Sequence, residues 1–228
     1  MKFYSQQNED EILYKKYLNY RDGFFIELGA MDGITFSNSL FFEEFLGWKG
    51  VLIEPTISQF ENLVINRKNT HNFNYAISQI EGESEFIGDG ALGGLTETMS
   101  DWHRKGWKLD QSSNPYLVKT IPISKLLKDI KIERVDFFSI DVEGGEIEVL
   151  KTFDWSIPVY LILIEGDYTA TEEQKQEWLT KPNSNGLLLS KDFIDRMDEC
   201  RQILITNGFE FIEKLGCNEI WINKNNAR

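Results

Sequence analysis

Four short apolar runs in this 228-residue chain run into carboxylates: Glu27 with Asp32, Glu54, Asp141 with Glu143, and Glu165 with Asp167. Acids placed this way can attract a cationic group, accept both hydrogen bonds of a ribose diol, or take the proton of a hydroxyl nucleophile. Oxygen ligands also suit a hard divalent ion, so Asp141 with Glu165 or Asp167 is a candidate magnesium set. His103, one of two histidines, is a further candidate base. The bland alternative has Asp141 and Glu143 capping the helix after Gly144-Gly145, and Glu27 and Asp32 making a polar turn. One acidic strand end is ordinary; four point to a polar site along one edge.

The first of these segments reads Glu27-Leu28-Gly29-Ala30-Met31-Asp32-Gly33. A dinucleotide loop needs Gly-x-Gly-x-x-Gly so that backbone can approach a pyrophosphate, and here Met31 holds the second glycine position. Glu27 and Asp32 would also repel a diphosphate, and no Gly-x-x-x-x-Gly-Lys-Ser/Thr occurs anywhere in the chain. Small Gly29 and Ala30 permit close approach of a ligand, while the carboxylates favour ammonium and sulfonium charge. S-adenosylmethionine, with a cationic centre, a ribose and an amino-acid tail, meets that description. Glu54 stands where an acid can hold the ribose diol, a role it could equally play for NAD.

The elements that must carry these residues follow from the pattern. A helix is expected over about 7–18, then a buried strand at Phe24–Leu28, where alternation is lost because both faces are covered. A helix from about Ser37, capped by its hydroxyl, ends at Gly47. Strands are expected at 51–54, 73–77, 84–87, 135–140 and 159–164. Helices are expected at about 58–67, 146–150 and 192–207. The pair 209–214 and 219–223 reads as a closing hairpin. Strands alternating with helices predict an α/β, doubly wound, mostly parallel sheet, with ligands outside the carboxyl ends of its strands. No repeat or linker divides the chain, so residues 1–228 read as a single domain.

Composition narrows the partners. Hydrophobic residues make up 41% and charged residues 27%, as in ordinary globular proteins. A formal charge of −13 argues against double-stranded nucleic acid, which is held by Lys and Arg. The dense basic stretch, His103-Arg104-Lys105-Gly106-Trp107-Lys108, is short. The polar, acidic start of the sequence has no apolar leader, and no run approaches the roughly 20 residues that span a bilayer. With only Cys200 and Cys217, a reduced, cytoplasmic setting is the expectation.

Seven stretches occur in an order that resembles the FkbM family of methyltransferases. They are Ser5–Asp10, Phe25–Gly33, Ser37-Asn38, Gly47–Gly50, Ile53-Glu54-Pro55, Ala76-Ile77-Ser78 and Ile140–Gly144. The resemblance covers most of the chain to about residue 165 and weakens beyond. It implies a class I, Rossmann-like methyltransferase fold, S-adenosylmethionine as donor, and O-methylation, often of a sugar or polyketide hydroxyl. By position it implies that Glu27, Gly29, Asp32, Gly33 and Asn38 line the methionine end. Glu54 would then hold the ribose, and Ala76, Ile77 and Ser78 would lie by the adenine.

Methyl transfer to oxygen is an in-line displacement, and an alcohol reacts once a base takes its proton or a metal lowers its pKa. Asp141 and Glu143, at the end of the central strand, and His103 are the candidate bases; magnesium is the alternative activator. Residues 88–116 form a long segment with Trp102, His103, Arg104 and Trp107 clustered, either as a substrate loop or as an amphipathic helix packing its tryptophans. Tryptophan rings stack on sugar faces, so the expected acceptor is a sugar, a glycan or a sugar-containing small molecule. The competing readings are a non-catalytic binding module of the same fold and, less well supported, an NAD-dependent oxidoreductase.

Overall fold

A computed structural model describes residues 1–183 and 186–228. The chain opens with α1 (Glu9–Lys16). Two strand–helix–strand steps follow: β1 (Phe24–Leu28), α2 (Leu40–Leu46), β2 (Lys49–Ile53), α3 (Ile57–Asn66) and β3 (His71–Phe73). Next come β4 (Ala76–Ile77), β5 (Gly82–Ile87), β6 (Gly94–Leu95), α4 (Asp101–Gly106), α5 (Leu109–Ser112) and β7 (Tyr116–Ile121). The central region resumes with α6 (Ile123–Leu127), β8 (Val135–Ile140), α7 (Glu146–Thr152) and β9 (Val159–Glu165). It closes with α8 (Glu172–Thr180), α9 (Lys191–Thr206), β10 (Glu210–Leu215) and β11 (Asn218–Ile222).

Seven strands form the main sheet in the order β10-β11-β9-β8-β1-β2-β3. From β3 to β9 neighbours are parallel, and β11 runs antiparallel to both β9 and β10, so the expected C-terminal hairpin is present. Strand order reverses between β1 and β8. That switch point leaves a crevice at the carboxyl ends, because the helices after the two strands depart to opposite faces.

Alternation along the strands supplies both faces. Ile26, Leu28, Phe138, Ile140, Ile162 and Ile164 pack with Leu127, Leu150 and Leu204 from α6, α7 and α9. Phe25, Phe137, Leu161 and Leu163 pack with Leu13, Phe41, Phe42 and Leu63 from α1, α2 and α3. Each such buried side chain contributes about 1.5–3 kcal/mol. The helix before Gly47 is shorter than expected. It starts at Leu40, yet the Ser37 hydroxyl still accepts from its first N–H at 3.1 Å.

Two expectations need correction. Residues 73–77 are not one strand. Asn74 donates its side-chain amide to the carbonyls of Glu54 and Pro55, at 2.9 and 2.8 Å, and turns the chain out of the main sheet. Beyond that turn, β4 joins a second, four-stranded sheet of order β4-β7-β5-β6. The segment 88–116 is also more ordered than a loop: it holds β6, α4 and α5. Among the described residues no helix is long and apolar enough to cross a membrane.

Candidate active site

A cavity of about 870 Å³ opens over the carboxyl ends of β1, β2, β8 and β9. Gly29 lies at its floor with φ 73°, and a Cβ there would stand 2.1 Å from the Asp141 carbonyl oxygen. Only a glycine tolerates both the left-handed backbone and that approach. Its neighbour Ala30 is buried in the core rather than at the cavity wall.

Glu27 is buried and its two oxygens are already engaged. The hydroxyls of Ser37 and Ser39 donate to one, and the Asn38 backbone N–H donates to the other at 2.7 Å. Beneath them Arg67, fully buried, donates to both hydroxyls, to the Gly33 carbonyl at 2.9 Å and to Glu43 at 2.6 Å. Gly33 therefore packs on Arg67, where a Cβ would stand 2.6 Å from its Cγ. Asp32 folds over its own turn, accepting from Ile34 N–H, Thr35 N–H and the Thr35 hydroxyl. Burial pushes that carboxyl up, but those hydrogen bonds outweigh it and hold it below the usual range. Neither Asp32 nor Gly33 lines the cavity. Asn38 does, fixed by a 3.0 Å bond from its side-chain amide to the Ser139 hydroxyl.

Glu54 lines the next part of the wall. The N–H groups of Met31 and Thr56 donate to its two oxygens at 3.0 and 2.8 Å, which aims the carboxyl across the crevice. Burial raises it above the ordinary range, and those N–H groups oppose the rise. Ala76 and Ile77 are buried and line the same end, whereas Ser78 turns away, its N–H bonded to the Ile121 carbonyl.

At the end of β8 and β9, Asp141, Glu143 and Glu165 converge, one oxygen of each lying within 4.8 Å of the others. Burial, then the charge of Glu165, drives Asp141 well above the carboxylate range. Burial, then Glu165 and Asp141, pushes Glu143 up to about 10. Glu165 is raised by burial and by Glu146, which is itself raised by burial to about 7 while accepting the Gly144 N–H at 3.1 Å. Like charges this close cannot all ionise, so the cluster retains protons. Asp167 is not part of it; it pairs with Lys214. Of the expected magnesium ligands Asp141 and Glu165 are thus brought together and Asp167 is not, with Glu143 as the third carboxyl of the group.

His103 reaches this cluster from the inserted segment, its Nδ1 3.0 Å from a Glu143 oxygen. Burial lowers its pKa, and the Leu92 backbone opposes that shift. Beyond it the cavity becomes aromatic, with Trp102, Trp107, Trp178 and Phe193 in its wall and Lys181 at the rim. The last three come from the α8–α9 region, which the sequence reading left without a role. The available signal was Trp178 on an otherwise polar helix.

This topology, a mostly parallel seven-stranded sheet with a polar crevice at its switch point and an antiparallel C-terminal hairpin, is the class I, Rossmann-like methyltransferase fold. The methyltransferase FkbM domain matches residues 27–211, and the chain belongs to that family. No curated protein sequence matches. Among solved structures, a methyltransferase FkbM from Methylobacillus flagellatus KT is similar at TM-score 0.50 and 12% identity, over 96% of this chain and 48% of that one. The chain thus spans about half the length of that protein. A putative caffeoyl-CoA O-methyltransferase from Staphylococcus aureus aligns at TM-score 0.46 and 11% identity, over 97% of this chain and 85% of that one. Aeropyrum pernix fibrillarin, solved with natively bound S-adenosyl-L-methionine, aligns at TM-score 0.42 and 14% identity, over 96% and 73%.

Proposed function

We propose that this protein moves a methyl group from S-adenosylmethionine to a hydroxyl of a sugar, a glycan or a sugar-containing small molecule. One observation carries the reading: a single cavity joins the strand-end carboxyl groups to an aromatic wall of Trp102, Trp107 and Trp178. The residues fit the donor. Gly29 leaves room where a Cβ would collide, Asn38 and the Glu27 loop border the methionine end, Glu54 faces the ribose, and Ala76 and Ile77 offer apolar contact to the adenine. When bound, S-adenosylmethionine supplies an electrophilic methyl carbon on a positively charged sulfur. The protein's part is to align the hydroxyl, exclude water and remove one proton. Asp141, Glu143 and His103 all stand between the donor end and the aromatic end, and the proton leaves through that group. Tryptophan faces suit the C–H face of a pyranose, which supports a carbohydrate acceptor.

Calorimetry with S-adenosylmethionine, S-adenosylhomocysteine and NAD tests the donor. The sulfur ligands bind and NAD does not; folded protein that ignores both sulfur ligands refutes the reading. A panel of free sugars, oligosaccharides and glycosylated small molecules, read by S-adenosylhomocysteine release, then tests the acceptor. Donor binding without release on any member favours the non-catalytic module.

A further inference from the structure

We propose that Glu9 is a donor-binding residue of this site, its carboxylate holding the ammonium of the methionine tail, and that residues 5–9 form the wall that brings it there. This rests on the methyltransferase reading above and assigns one end of the donor within it.

The chain ahead of α1 is folded into a tight strap. Asp10, fully buried, accepts from the Tyr4 N–H and the Ser5 hydroxyl, both at 2.6 Å, and its own N–H donates back to that hydroxyl at 3.1 Å. Asn8 takes a left-handed backbone, φ 65°, where the turn enters the helix. On one side Ser5 bridges in parallel to Phe36, two residues before Asn38. On the other side Gly216 packs on the Gln7 side chain, which a Cβ there would overlap, and the Asn218 amide donates to Glu9 at 3.1 Å. Asn218 opens β11 opposite Glu165 at the end of β9. The strap thus bridges from the loop after β1 to the start of β11, past the ends of β8 and β9. Gln6, Gln7 and Glu9 all line the cavity.

Glu9 is 2% exposed, and both of its partners are neutral: the Gln7 N–H donates to one oxygen at 2.7 Å and the Asn218 amide to the other. A carboxylate oxygen has two acceptor positions, so each keeps one unfilled. Buried carboxylates ordinarily face a cation. The wall has none to spare. Among the described residues its basic side chains are His103 and Lys181, which contact Glu143 and Glu177 at 3.0 and 3.1 Å. The other wall acids are committed elsewhere. Glu27 is occupied by Ser37, Ser39 and the Asn38 N–H, Asp167 pairs with Lys214, and Asp141, Glu143 and Glu165 crowd on one another. Glu54 stands at the ribose end. S-adenosylmethionine carries the missing cation as the ammonium of its tail. With the ribose at Glu54, beyond β2, that tail crosses the end of β1 toward Asn38, Phe36 and the strap.

Calorimetry on the full chain compares S-adenosylhomocysteine, which has the same tail, with its desamino analogue, in which hydrogen replaces the ammonium. The wild type should prefer S-adenosylhomocysteine about 10–100-fold, the loss expected for one hydrogen bond between charged groups. Glu9→Gln keeps the shape of the side chain, since Asn218 can turn its amide oxygen to the new N–H₂ group. It should weaken S-adenosylhomocysteine by the same factor and leave the analogue unchanged. Glu9→Met, with no polar group to satisfy, gives the same readout should glutamine misfit. Equal affinity of the wild type for the two ligands overturns the proposal. So does a folded variant that binds S-adenosylhomocysteine like wild type, or that weakens both ligands alike. Wild-type protein that binds neither ligand removes the methyltransferase reading instead.

Discussion

Gly29 and Asp141 meet at the carboxyl ends of β1 and β8 with space for no side chain between them: a Cβ on Gly29 would stand 2.1 Å from the Asp141 carbonyl oxygen. That contact sets the floor of the cavity and brings the Gly29 loop beside the carboxyl cluster at the ends of β8 and β9.

Gly29→Ala therefore loses on two counts, the left-handed backbone and the collision. Backbone strain alone costs about 1–3 kcal/mol, and relief of the clash must move the donor loop. Urea unfolding should show the loss of stability, and calorimetry should show loss of S-adenosylhomocysteine binding. A variant that binds like wild type would mean the loop does not touch the donor.

Glu54→Gln tests the ribose contact. Hydrogen bonds to a charged acceptor are worth about 1.5–3 kcal/mol, so affinity should fall roughly tenfold or more. Because Glu54 titrates above the ordinary carboxylate range, wild-type affinity should weaken on acidification sooner than a surface acid would dictate. A flat affinity from neutral to mildly acidic pH contradicts the assignment.

Arg67 holds the donor loop from beneath, fully buried and bonded to Glu43, Gly33, Ser37 and Ser39. Arg67→Met leaves Glu43 and the Ser37–Ser39–Glu27 group without their cation, at a cost of about 3–5 kcal/mol. Lysine cannot reproduce the planar fork, so Arg67→Lys should rescue only a small part of the thermal midpoint. Full rescue by lysine would reduce the role of Arg67 to its charge.

Stability should fall as the solution becomes alkaline. Glu143, raised to about 10, and Glu146, raised to about 7, hold protons in the folded chain that the unfolded chain releases near pH 4–5. The unfolded state then binds fewer protons, so the slope of unfolding free energy against pH is negative, about 1.4 kcal/mol per pH unit for each such proton. Glu146 contributes its loss up to about pH 7 and Glu143 up to about pH 10. Urea midpoints at pH 6 and pH 9 should differ in that sense, and Glu143→Gln should shrink the difference. Equal midpoints would show that the cluster is ionised.

Magnesium must displace protons to bind at Asp141, Glu143 and Glu165, since metal ligation requires deprotonated acids. Titration of magnesium into donor-free protein at neutral pH should give no saturable heat. A tight site at that pH would return the carboxyl cluster to metal binding.

Much of the fold is legible in local pattern. Phe24–Leu28, Val135–Ile140 and Val159–Glu165 announce themselves because parallel strands covered on both faces need unbroken apolar runs. The carboxylates that follow them mark the same edge for the same topological reason. The break at Asn74 is not legible, because its two acceptors lie in another strand's end.

The candidate site divides along the same line. Gly29 and Glu54 can be placed from sequence because each sits just beyond a strand whose direction the fold dictates, whereas Asn38, Ala76 and Ile77 are reached only through the resemblance to the FkbM family. Asp32 closes the local polar turn that its spacing allows, whereas what Glu27 and Asp167 do with their charge depends on Ser37 and Lys214, chosen by side-chain geometry that no spacing rule reports. The sequence by itself determined the class of sheet, the edge that binds and the acids along it, since these follow from periodicity and chain direction. Only the tertiary structure decided which acids face the cavity, which are spent on the scaffold, and that His103 meets Glu143. Hydrogen bonds between distant segments form only after packing has fixed both partners.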